Sequence, residues 1–109
     1  HMTTRNVLVV DDDEINLMIL IKSVQEAGHT PVPFATGEDA WNHLQANPDA
    51  VDIALLDKMM PGVSGLELLK RIKADARMKA MPVILQTGDV GVEQMRESLQ
   101  AGAYYYLTK

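Results

Sequence analysis

The chain has 109 residues, no cysteine and a formal net charge of −5. That length suits a single domain with one core, and the lack of cysteine excludes a disulfide scaffold or a thiolate metal site and fits a reducing cytoplasm. The acidic balance argues against direct binding of nucleic acid, and no apolar run approaches the roughly 20 residues of a membrane span. His1-Met2 reads as the scar of a removed tag, which leaves residues 3–109 as the domain.

In chain order, Val7 to Val10 is a continuous apolar run, as expected of a strand covered on both faces. Four acids follow it, Asp11 to Glu14. Asp13 is placed to cap a helix that runs to about Ala27, where Gly28 supplies the stop. Thr30 to Ala35 contains Pro31 and Pro33, which cannot donate ladder hydrogen bonds, so it reads as an edge strand. Thr36 opens a short helix over about Asp39 to Gln45, and Asn47-Pro48-Asp49 makes a turn. His29, after the stop glycine, and His43, within this helix, have no nucleophile or metal partner in the pattern and read as structural.

Ile53 to Leu56 is a second buried run and ends at Asp57. After the Pro61-Gly62 loop, Ser64 and Glu67 have the spacing of a reciprocal capping box, with Leu66, Leu69 and Ile72 along one helical face. Val83 to Leu85 is a third buried run and ends near Thr87. Val92, Met95 and Leu99 form the apolar stripe of the next helix, closed by Gly102. Tyr104 to Leu107 is the last strand, and the methionines serve as core filler. The order β-α-β-α-β-α-β-α-β predicts an α/β domain: a doubly wound, parallel, five-stranded sheet with helices on both faces.

Ligands of such sheets bind at the carboxyl ends of the strands. Asp11 and Asp12 follow the first strand, Asp57 the third, Thr87 the fourth and Lys109 the fifth. Topology alone would bring three carboxylates, a hydroxyl and an ammonium to one rim. Four consecutive acids repel one another unless they face water or share a cation. Carboxylate oxygens suit a hard octahedral cation, above all Mg²⁺. A carboxylate beside that metal, a hydroxyl and a lysine is equipped to accept a phosphoryl group.

The segments Val9-Val10-Asp11-Asp12, Leu55-Leu56-Asp57-Lys58-Met59-Met60-Pro61-Gly62, Thr87-Gly88 and Tyr106-Leu107-Thr108-Lys109 together resemble the receiver domain of two-component response regulators. The resemblance implies the flavodoxin-like strand order 2-1-3-4-5. It implies Asp57 as the phosphoacceptor, supplied by a histidine kinase or a phosphotransfer protein, in a switch that controls an output domain or protein. Mg²⁺ would be held by Asp12, Asp57 and the Met59 backbone carbonyl, and by Asp11 through water. Thr87 and Lys109 would hold phosphoryl oxygens, Tyr106 would be the aromatic switch, and Met59 and Asp89 would tune the phosphoryl lifetime. Such a domain assists its own phosphorylation and dephosphorylation without being a turnover enzyme.

Two departures stand out. Lys58 occupies a position where an apolar residue is usual. The fifth helix of the family is missing, so Val7, Val9 and Leu107 are expected to lose cover, and a homodimer through the bare face is expected. The competing readings are a Mg²⁺-dependent phosphatase with an aspartyl-phosphate intermediate and a non-catalytic binding module on the same scaffold. The first wants a second Asp where Met59 stands; the second predicts loops without the acidic set.

Overall fold

The structure is a computed structural model that describes residues 3–88 and 91–109. Five strands alternate with four helices among them: β1 (Asn6–Val10), α1 (Glu14–Glu26), β2 (Thr30–Phe34), α2 (Gly37–Ala46), β3 (Ile53–Asp57), α3 (Gly65–Ala74), β4 (Val83–Thr87), α4 (Val92–Gln100) and β5 (Tyr105–Thr108). All pairings are parallel and the order is β2-β1-β3-β4-β5. The proline-bearing β2 is an edge, as its missing N–H groups require. None of the described helices is long and apolar enough to cross a membrane.

Side-chain alternation gives the sheet two different faces. Leu8, Val10, Ala54, Leu56, Val83, Leu85 and Tyr106 point to one face, where Leu44, Leu68, Leu69 and Ile72 of α2 and α3 close a continuous core. Val9 points the other way, towards α1, where Leu20 and Val24 are buried. Tyr105 and Leu107 share that second face at the far end of the sheet, and both are exposed. Leu107 is exposed and Val7 half-buried, whereas Val9, against expectation, is fully buried because α1 lies over β1.

The predicted caps form. Asp13 accepts from the N–H groups of Ile15 and Asn16, Thr36 from Asp39, and Ser64 from Glu67. The Glu67 carboxylate does not fold back to complete its box; it pairs with Arg71 one turn on, at 2.6 Å. Gly28 at φ 88° ends α1 in the left-handed conformation that favours glycine.

The Val92, Met95 and Leu99 stripe forms on α4 but does not face the core. It lines an open groove with Arg96 and Gln100, and Val92 is 68% exposed. The buried residue of α4 is Ser98, whose hydroxyl donates to the Gln94 carbonyl at 3.0 Å. A small side chain lets the helix approach closely, so the helix is rotated away from its larger apolar residues. The methionines also divide: Met60, Met78 and Met81 are core, whereas Met18, Met59 and Met95 are exposed.

Candidate functional site

The register aligns the strand ends. Val10 pairs with Leu56, Asp57 with Gln86, and Thr87 with Thr108. The residues at or just beyond the ends of β1, β3, β4 and β5 therefore meet at one rim, beside the place where the strand order reverses between β1 and β3.

Asp11, Asp12 and Asp57 each offer a carboxylate oxygen, and these oxygens lie within 4.8 Å of one another. Asp11 and Asp57 are buried, whereas Asp12 is exposed. The Lys109 ammonium stands 3.2 Å from Asp57 Oδ1 and 3.6 Å from Asp11 Oδ2. Its backbone N–H donates to the Thr87 carbonyl at 2.8 Å, which anchors the lysine to the end of β4. Thr87 itself is buried at that strand end. Tyr106 is buried opposite Leu85, and the Met59 side chain turns out to solvent. Asp89 lies outside the described residues.

The electrostatics follow from this crowding. Burial, and then the neighbouring Asp11 charge, push the Asp57 carboxyl up to about 6, against the pull of Lys109 and of the Met59 backbone N–H. Burial works against the Lys109 charge, but the hydrogen bond to Asp57 and the two carboxylate charges carry its pKa above the ordinary lysine value. The rim thus gathers more negative charge than one ammonium offsets. Its donors are hard oxygens, the chemistry that a Mg²⁺-sized cation prefers.

Two further residues belong to the site that the motifs did not single out. Asn16 Nδ2 donates to Asp11 Oδ2 and also reaches Gln86 Oε1 at 3.3 Å. Asp11 Oδ1 accepts from the Asp13 N–H at 2.9 Å. Both oxygens of Asp11 are therefore held from the start of α1, and β4 supports one of them. The sequence carries a signal for Gln86: it is a polar residue inside an otherwise apolar strand, immediately before Thr87.

Comparison with known proteins agrees with this geometry. The family described as "Response regulator receiver domain" matches residues 7–109. Chemotaxis protein CheY1 of Helicobacter pylori strain 26695 is 34% identical over 103 residues, which cover 94% of this chain and 82% of that protein. A putative response regulator from Chloroflexus aurantiacus superposes with a TM-score of 0.90 at 28% identity, covering 98% of this chain and 86% of the other. Chemotaxis protein CheY4 of Vibrio cholerae superposes with a TM-score of 0.88 at 26% identity, covering 98% and 88%. With the strand order, the four helices and the acidic rim in place, these matches show that the chain belongs to the response regulator receiver domain family.

Proposed function

We propose that this receiver domain is a phosphoryl-accepting signalling switch with Asp57 as its nucleophile. The observation that carries the reading is the buried Asp57 carboxylate, held 3.2 Å from Lys109. One Asp57 oxygen attacks phosphorus, and the bond to the donor breaks. The donor is a phosphohistidine of a histidine kinase or phosphotransfer protein, whose imidazole leaves. The product is an acyl phosphate on Asp57. Lys109 and Thr87 bind oxygens of the transferred group, which keeps its charge matched beside the buried Asp57.

The donor set fits Mg²⁺: Asp12 and Asp57 would hold it directly, with the Met59 backbone carbonyl, and Asp11 through water. When bound, the metal would neutralise both the carboxylate cluster and the incoming phosphoryl oxygens. Asp11, Asn16 and Gln86 act on the protein side by fixing carboxylate orientation. The chain works as a cytoplasmic switch rather than a turnover enzyme, and its output is an attached domain or a separate protein. Thr87 moving towards the phosphoryl group would change the packing around the buried Tyr106 ring, which couples the site to the α4–β5 surface. The phosphatase reading is weaker, because the exposed Met59 side chain offers no general acid at the position where one is needed.

Acetyl phosphate with Mg²⁺ tests this reading. Intact mass should show one phosphoryl group per chain, peptide mapping should place it on Asp57, and Asp57→Asn should abolish it. Modification that persists in Asp57→Asn overturns the assignment. A double-mutant cycle of Thr87→Ala and Tyr106→Ala on partner binding should be non-additive; additive effects would mean two independent contacts.

A further inference from the structure

Lys58 follows the phosphoacceptor directly and is 4% exposed. Lysine is almost never buried this fully unless a carboxylate pairs with it. Among the described residues no carboxylate forms an ion pair with Lys58. Its ammonium meets two uncharged acceptors instead. One is the Gln94 backbone carbonyl of α4, at 3.5 Å; the other is the Tyr106 ring of β5, whose centroid lies 5.6 Å away.

The two ends of this residue are tied to different parts of the molecule. Its backbone N–H donates to Gln86 at 2.9 Å, and its carbonyl accepts from Gly65 at 3.0 Å. The main chain is thus part of the rigid strand end that carries Asp57. The side chain reaches away, to α4 and β5. Lys58 therefore spans the distance between the acidic rim and Tyr106.

We propose that Lys58 is a positioning residue that holds the Tyr106 ring inward and α4 against the sheet, and so sets the resting state of the switch. The proposal rests on the reading of Tyr106 as the moving element of a receiver. The physical argument concerns what Lys58 loses. A ring face attracts an ammonium, and more strongly where water is excluded. If the ring swings out, the buried cation keeps, among the described residues, one long hydrogen bond, and an under-coordinated buried charge is strongly disfavoured. The inward ring is stabilised before any phosphoryl group arrives. An apolar residue at this position would exert no such pull.

The test reads the ring itself. In the unmodified chain with ring-labelled tyrosine, three-bond couplings give the inward-to-outward ratio of Tyr106. Lys58→Met keeps the apolar stem and removes the charge; the ratio should fall about fivefold, the scale of a partly desolvated cation–π contact. Lys58→Arg should restore it, and the Gln94 region should lose amide protection only in Lys58→Met. Lys58→Gln replaces Lys58→Met if the latter does not fold. An unchanged ratio in the uncharged variant, or an equal fall in Lys58→Arg, overturns the proposal. Acetyl phosphate labelling of the same samples separates the two readings. Failure of the parent to label would sink the phosphoacceptor assignment, while the ring ratio would still decide the role of Lys58.

Discussion

Lys109 Nζ lies 3.2 Å from Asp57 Oδ1 and 3.6 Å from Asp11 Oδ2, so one ammonium bridges two buried carboxylates, one ending β3 and one just past β1. Removing it leaves both acids without their shared cation. Lys109→Met should destabilise the metal-free protein near neutral pH by about 1–2 kcal/mol, a value below that of a fully buried pair because the lysine is partly exposed. Urea midpoints in EDTA would show it. Millimolar Mg²⁺ should recover part of the loss, since a cation can take over the bridging charge. A variant as stable as the parent without metal would mean that the bridge carries no net weight.

The raised Asp57 value makes a second prediction with a definite sign. Its folded value of about 6 lies above the ordinary 3.8. Between those values the folded state binds more protons than the unfolded state, so stability falls as pH rises through the window. A shift of that size corresponds to a penalty of about 2–3 kcal/mol near neutral pH, with no metal bound. Asp57→Asn removes the charge and should raise the melting temperature near neutral pH in EDTA by several degrees. The gain should shrink as pH falls through that window and vanish near pH 3, below both values, where the parent carboxyl is largely protonated in both states. A gain of the same size at both pH values would trace the effect to something other than this titration.

Much of the site was legible because a parallel sheet turns sequence distance into proximity. Asp11, Asp57, Thr87 and Lys109 are far apart in the chain, but each follows a strand, and parallel strand ends share a rim. The apolar runs marked the strands, and the acids marked which end mattered. What escaped the sequence was rotation and reach. Periodicity showed a stripe of Val92, Met95 and Leu99 on α4, but the close fit at Ser98 on the other side decides which face the sheet takes. Asn16 is an ordinary residue for an exposed first turn, and only the fold brings it to Asp11. The burial of Lys58 depends on where α4 and β5 pass, which no local pattern encodes.

Asn16 and Gln86 give a third prediction. Asn16 holds one oxygen of Asp11, and Gln86 supports Asn16 from β4. Groups that orient a metal-binding carboxylate commonly matter about tenfold to a hundredfold in affinity. Asn16→Ala should weaken Mg²⁺ binding about tenfold, and Gln86→Leu, one step further out, by less. Asp12→Ala should abolish it. Thermal shift across a Mg²⁺ series reads all three, because ligand binding stabilises the fold by mass action. If Asn16→Ala keeps the parent affinity, Asp11 does not depend on this support.

Gly65 begins α3 directly behind the site, and it is glycine for reasons of space. Its φ is not among the positive ones, so no special backbone conformation is at stake. A Cβ there would stand 2.1 Å from the Asp57 carbonyl oxygen and 2.9 Å from Lys58 Cα. Both are backbone atoms, which cannot rotate out of the way. The same approach lets the Gly65 N–H donate to the Lys58 carbonyl at 3.0 Å. Gly65→Ala must therefore push α3 off the end of β3 or move the segment that carries Asp57. Strain of this kind should cost about 2–4 kcal/mol. In whatever fraction remains folded, it should also weaken Mg²⁺ binding, because Asp57 and the Met59 carbonyl move together. Gly88 is the control: it sits on the same rim, and an added Cβ meets nothing within 4 Å. Gly88→Ala should leave the urea midpoint nearly unchanged or raise it slightly through the unfolded chain. Equal behaviour of the two variants would mean that the contact between α3 and β3 yields easily, and that the strand end is not held in place by this close approach.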